Sequence, residues 1–185
     1  WIGQSDTETL LVGLRHWGIE NCLQKLNGMF AFALWDKDEQ KLFLARDRMG
    51  EKPLYFGRSG SSFLFGSEIK ALAAHPEWQG EIDREALALF MRYSYVPSPN
   101  SIYLGIKKLQ PAHYIVVKNR GEEVSSPICY WPLCEVAGSG FAQSLSDDVS
   151  VEELADELDS LLFDAVKLRM LADVPLGAFL SGGYD

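Results

Sequence analysis

The 185-residue sequence is poor in cysteine, histidine and positive charge, and it holds no long apolar run. Its three cysteines, Cys22, Cys129 and Cys134, are an odd and sparse set, which excludes a disulfide framework. Cys129 and Cys134 lie five apart with no matching His or Cys pair, so no zinc or other metal site is expected. All three thiols are expected as ordinary core or surface groups, and the set suits a reducing cytoplasm. Lys and Arg number 17 against 26 Asp and Glu, for a net charge of −9. Nucleic-acid phosphates are gripped by clustered cations, and the basic clusters here are as short as Lys107–Lys108, so nucleic acid is not an expected partner. A membrane helix needs about 20 consecutive apolar residues, and none is expected here. The opening "WIGQSDTE" has neither the basic start nor the apolar centre of a secretory leader. What is there is an ordinary globular balance, 47% apolar and 23% charged, enough for one domain with part of another.

Hydrophobic spacing organises the chain. Ser5 to Trp17 is predicted as a helix, with Ser5 and Glu8 as a capping box and Leu10, Leu11, Leu14 and Trp17 on one stripe. Gly18 stops it, and a second short helix runs from Ile19 to Leu26. "MFAFALWD" (29–36) and "KLFLARD" (41–47) are strands joined by a polar turn. "LYFGRS" and "FLFGSE" form a second hairpin around Gly60. Four consecutive strands predict one antiparallel sheet. Helices follow over 68–75 and 83–93, the second capped by Asp83, and the proline-rich stretch to Pro111 is mostly irregular. "AHYIVVKNRGEEVSS" is a strand and a turn at Gly121. Residues 137–150 are small and polar and are expected as a linker. Residues 151–172 form a strong helix with the stripe Leu154, Leu158, Leu161, Leu162, Ala165 and Leu168, and "VPLGAFL" after it is an expected strand.

Three stretches carry possible chemistry. "SGGYD" (181–185) follows the last strand, and its glycines let backbone N–H groups approach phosphate oxygens, with Ser181 adding a hydroxyl. It is neither a Walker loop nor GxGxxG, and such a sequence is often only a turn. In "GQSDTE", Asp6 offers a carboxylate at a helix start, which is either part of the cap or a partner for an ammonium group. "ARDRMGEKPLYFG" crowds Arg46, Asp47, Arg48, Glu51 and Lys52 together, and an internal salt-bridge network is expected there.

Taken in order, "GxSDTExLL", "LNGMFAFALWD", "LFLARDRMGEKPLYF", "FLFGSEIKAL", "YVPSPNSIYLGIKKLQPAHYIVV", "YWPL" and "DVPLGAFLSGGYD" resemble the glutamine-hydrolysing asparagine synthetase family. The resemblance covers nearly all 185 residues. It implies an α+β fold: an Ntn-hydrolase-type four-layer αββα sandwich, incomplete at its N-terminus, then the first helix and strand of an α/β ATP-pyrophosphatase-like domain. The implied boundaries are 1–136 for the amidotransferase domain, 137–150 for the linker and 151–185 for the start of the ATP-binding domain. It implies a ligase that takes ammonia from glutamine and adds it to an adenylated aspartate side chain. By that resemblance Asp6 holds the α-amino group of glutamine. Ser181, Gly182, Gly183 and Asp185 belong to a loop for ATP with Mg2+. Met29 lies near the ammonia path, unless it is plain core. The implied partners are glutamine, aspartate and ATP, in the cytoplasm, and a homodimer is compatible with the family.

The chain also departs from the pattern. The family's N-terminal cysteine nucleophile, an arginine and an Asn-Gly-Glu segment belong upstream of Trp1, and the rest of the synthetase domain belongs after Asp185. The chain therefore looks like a fragment, inactive by itself, and the apolar stripe of its final helix and strand, Val151 to Leu180, is expected to be poorly covered, docked on another chain or covered by further residues. A β-lactam-synthetase-like or other carboxylate-amidating relative, and a non-catalytic binding or scaffold module of the same fold, are the alternatives.

Overall fold

The computed structural model describes residues 3, 5–143, 150–172, 174–179 and 182. The chain divides into two compact units, Trp1–Val136 and Ala137–Asp185.

The first unit opens with helix α1 (Asp6–Lys25). Ser5 caps it, its Oγ accepting from Thr7 N at 3.2 Å. The Glu8 carboxylate accepts from Gly3 N at 2.7 Å, further back than the predicted capping box. Gly18 breaks the helix as its sequence predicts, with φ 74 and ψ 173. This is a backbone region that essentially only glycine enters. The two halves fold back on each other, since a Cβ on Gly13 would stand 3.1 Å from Cys22 Sγ.

Strands β1 (Ala31–Asp36) and β2 (Lys41–Arg46) form the first hairpin, with Asp36 opposite Lys41. The turn is held by Asp36 Oδ1, which accepts from Asp38 N at 2.9 Å and Glu39 N at 3.0 Å. Strands β3 (Tyr55–Ser59) and β4 (Ser62–Gly66) form the second, turning at Gly60 with φ 60. The predicted single sheet is not what forms, because each hairpin takes a partner from far along the chain. Strand β5 (Ile106–Lys108) adds to β3, and β6 (His113–Lys118) adds to β2. The short strands β7 (Glu123–Val124) and β8 (Ile128–Cys129) both pair with β6. The result is a five-stranded antiparallel sheet ordered β1-β2-β6-β7 with β8 also on β6, and a three-stranded sheet ordered β4-β3-β5.

Alternating side chains then fill two cores. Leu44, Ile115 and Val117 of the larger sheet meet Leu54, Phe56 and Leu109 on the side of the smaller one. On the opposite face of the larger sheet, Ala45 and Tyr114 pack with Leu23 of α1, flanked by Ile19 and Leu26. Leu23, Leu44, Leu109 and Ile115 are fully buried. Each such side chain contributes roughly 1.5–3 kcal/mol, against about 0–1 kcal/mol for a surface ion pair. Packing therefore dominates the stability of this unit. Helix α2 (Ile69–Ala73) lies beside β4. Helix α3 (Arg84–Tyr93) is capped as predicted by Asp83, whose Oδ1 accepts from Glu85 N at 2.9 Å and Ala86 N at 3.2 Å.

Within the expected linker, residues 137–143 are helical and belong to helix α4 (Leu133–Gln143). Pro132 starts it, its carbonyl accepting from Glu135 N at 3.1 Å and Val136 N at 3.0 Å. Gly138 and Gly140 cost the helix about 1 kcal/mol each without breaking it. The remainder of the expected linker, 144–149, lies outside the described residues. Helix α5 (Val151–Arg169) has the reciprocal capping box that Ser5 lacks, between Ser150 and Glu153. Its hydrogen bonds are Glu153 N to Ser150 Oγ at 3.2 Å and Ser150 N to Glu153 Oε2 at 2.9 Å. The stripe Leu154, Leu158, Leu161, Leu162, Leu168 is exposed along its length, as expected. The strand predicted after it does not form over residues 174–179. A strand needs a neighbour to bond its backbone, none stands beside it among the described residues, and Pro175 has no N–H to offer.

Candidate functional site

The charged loop after β2 is held differently from the expected salt-bridge network. No ion pair joins Arg46, Asp47, Arg48, Glu51 and Lys52 to one another. The charges of Arg46, Asp47 and Arg48 face the backbone instead. Arg46 donates from Nε to Lys52 O at 2.7 Å, from Nη1 to Leu109 O at 2.6 Å and from Nη2 to Gly50 O at 2.5 Å. The physical reason is that a chain leaving a strand carries unpaired carbonyls and amides, which must be satisfied once buried. Burial lowers the Arg46 guanidinium from its usual pKa, and the adjacent Asp47 carboxylate pulls the other way. Gly50 completes the turn at φ 68, where a Cβ would meet Pro111 Cγ at 2.7 Å. Arg48 donates from Nη2 to Gln24 O at 2.7 Å, near the end of α1, and lies over the Trp131 ring at 5.3 Å. The buried Arg48 Nε has no hydrogen-bond partner among the described residues.

Beside this loop is an open cleft of about 410 Å3, lined by both ends of α1, the entry to β1, Lys52 and Ser67. A straight 20-residue helix is about 30 Å long and would hold its ends apart. The reversal at Gly18 brings Asp6 back to Gly28 and Met29. The structure thus brings two sequence-predicted site residues, Asp6 and Met29, into one cleft. Met29 is 56% exposed in this chain and lines the cleft. Asp6 Oδ1 accepts from Thr7 N at 2.7 Å and from Ser5 Oγ at 3.3 Å. Among the described residues its Oδ2 accepts nothing, which leaves half the carboxylate for a ligand.

Asp6 and Lys52 are the two charged side chains of the lining. A carboxylate and an ammonium in one cleft complement the head group of an amino acid, and Leu10, Met29 and Phe30 supply an apolar wall. Lys52 was expected in the salt-bridge network, and no signal in its spacing links it to residue 6. Only the tertiary fold joins them. Of the predicted ATP loop, Gly182 is described, with φ 77, a turn conformation that suits glycine. Ser181, Gly183 and Asp185 lie outside the described residues.

Comparison with known proteins points the same way. The family profile described as "Glutamine amidotransferase domain" matches residues 1–131. A second, described as "Asparagine synthase", matches residues 157–185. The chain is 40% identical over 182 residues to asparagine synthetase [glutamine-hydrolyzing] 3 of Bacillus subtilis (strain 168), covering 98% of this chain and 28% of that protein. It is 35% identical over 183 residues to asparagine synthetase [glutamine-hydrolyzing] 1 of the same organism, covering 98% and 27%. It is 32% identical over 188 residues to amidase chry2 of Gibberella zeae, covering 100% and 26%. The chain therefore spans less than a third of the length of each of these relatives. With antiparallel sheets, flanking helices and a profile match over residues 1–131, the chain belongs to the glutamine amidotransferase domain family.

Proposed function

We propose that the chain supplies the glutamine cleft, and the first part of the synthetase domain, of a full-length glutamine-hydrolysing asparagine synthetase. The observation that carries this reading is the cleft in which Asp6 and Lys52 are the charged groups and Met29 lines the wall. Asp6 holds the α-ammonium of glutamine, Lys52 attracts its α-carboxylate, and the apolar wall packs on its methylenes. The family's N-terminal cysteine, supplied upstream in the full-length protein, attacks the side-chain carboxamide carbon with its own α-amino group as base. The C–N bond breaks, ammonia leaves past Met29, and water releases glutamate from the thioester. In this reading residues 1–136 are an Ntn-type four-layer sandwich, incomplete at its N-terminus, 137–150 are the linker and 151–185 begin the ATP-binding domain. Ser181, Gly182, Gly183 and Asp185 would hold the pyrophosphate of ATP, which with Mg2+ would supply activation of the acceptor carboxylate. The free state of Cys22, Cys129 and Cys134 supports a cytoplasmic setting.

Aspartate is the proposed acceptor. The second reading is amidation of a different carboxylate by the same chemistry. Mass spectrometry of the product formed from aspartate, ATP and glutamine separates the two. The cleft itself is tested with Asp6→Asn in the full-length protein. A hydrogen bond to a charged group is worth about 1.5–3 kcal/mol, so KM for glutamine should rise about tenfold or more with a smaller change in kcat. An unchanged KM sinks this reading.

A further inference from the structure

We propose that Asp47 is a positioning residue that ties the two lips of the cleft together; this rests on the glutamine reading above. Asp47 is a charged side chain with 1% exposure, inside a chain whose other acidic groups are mostly solvated. Three backbone amides converge on its carboxylate. Oδ1 accepts from Glu51 N at 2.9 Å. Oδ2 accepts from Lys52 N at 2.9 Å and from Phe30 N at 3.3 Å. Its own backbone repeats the link, Asp47 N donating to Phe30 O at 2.9 Å and its carbonyl accepting from Gly50 N at 3.2 Å and Ala112 N at 2.8 Å.

Phe30 and Lys52 both line the cleft, on separate segments. One carboxylate oxygen therefore bridges the lip that carries Met29 and Phe30 to the lip that carries Lys52. Arg46 holds Lys52 from the other side, through its carbonyl. The Lys52 backbone is fixed at both its N–H and its C=O, while its ammonium makes no ion pair among the described residues. Backbone locked and side chain free is the arrangement that sets a reach towards a ligand. Asp47 touches no ligand itself; it sets the distance between Lys52 and the Met29 wall.

The test is Asp47→Asn in the full-length protein, assayed for synthesis fed by glutamine and, separately, by ammonium. The carboxamide keeps the shape but turns one acceptor into a donor, which must face at least one of the three converging N–H groups. Loss of a charge-assisted bridge should raise KM for glutamine about tenfold, while ammonium-fed synthesis stays within about twofold of wild type. Equal loss of both activities, or an unchanged KM, overturns the proposal. Should the variant fail to fold, hydrogen exchange on the wild-type protein decides. Saturating glutamine slows the amides of Phe30, Glu51 and Lys52 together if the bridge couples the lips, and leaves them unchanged if it does not. Asp6→Asn runs alongside. A raised KM there with a normal one in Asp47→Asn removes this proposal alone. A normal KM in Asp6→Asn removes the glutamine reading and this proposal with it.

Discussion

Tyr114 shows how a single buried group ties stability to pH. It is 3% exposed against α1, and its hydroxyl donates to Glu20 Oε1 at 2.7 Å. Burial first, then the Glu20 hydrogen bond and charge, push its pKa from 10.0 to about 12. The folded state therefore keeps a proton that the unfolded chain gives up near pH 10. The neutral phenol's contribution is fully present below pH 10 and is lost as pH rises from 10 to about 12. The loss is at most on the order of 2–3 kcal/mol. Urea titrations of wild type and Tyr114→Phe across that window measure it, the wild type losing more stability than the variant. Glu20 is solvent-exposed, so the phenylalanine leaves no buried carboxylate behind.

At the scale of elements, the reversal inside α1 matters most. Gly18→Ala places a Cβ in open space, since no atom lies within 4 Å. Its cost is therefore backbone strain alone, about 1–3 kcal/mol. An alanine also favours a continuous helix, which moves Asp6 away from Met29. The expected outcome is a lower melting temperature together with a higher KM for glutamine, measured on one full-length preparation. This break was legible in the sequence, as were both hairpins and the Asp83 cap, because each depends on residues within a few positions of one another. The division into two sheets was not legible in local pattern, because β2 (to Arg46) pairs with β6 (from His113) and β3 (to Ser59) pairs with β5 (from Ile106), separations far beyond the window of about 11–18 residues that hydrophobic spacing reads. The helix over Ala137–Gln143 was missed because small residues hide its spacing, and its start depends on the Pro132 carbonyl. At the cleft, Asp6 and Met29 were visible through family motifs. Lys52 and Asp47 were not: the Asp47 carboxylate is held by backbone amides, which leave no trace in side-chain pattern, and Lys52 meets Asp6 only through the tertiary fold.

For the molecule as a whole, helix α5 stands out, because its leucines make an uncovered stripe. Leu158 is 56% and Leu161 is 62% exposed. Contiguous apolar surface of this kind drives association. Sedimentation of the 185-residue polypeptide should show concentration-dependent self-association, which Leu158→Lys with Leu161→Lys should abolish. The remaining charges follow another rule. The ion pairs between described residues, Lys41–Glu39 and Lys70–Glu68, join near neighbours in sequence, and neither crosses the fold. Distant segments are joined instead by charges bonded to backbone, Arg46 to Leu109 and Arg58 to Gly121 among them. Dissolved ions screen attraction between opposite charges, but they do little to a buried guanidinium on a carbonyl. They do relieve the self-repulsion of a chain carrying −9. Ionic strength should therefore act in the opposite sense from a protein held by salt bridges. Going from about 10 mM to about 500 mM sodium chloride shortens the screening length from about 30 Å to under 10 Å, and the melting temperature should rise.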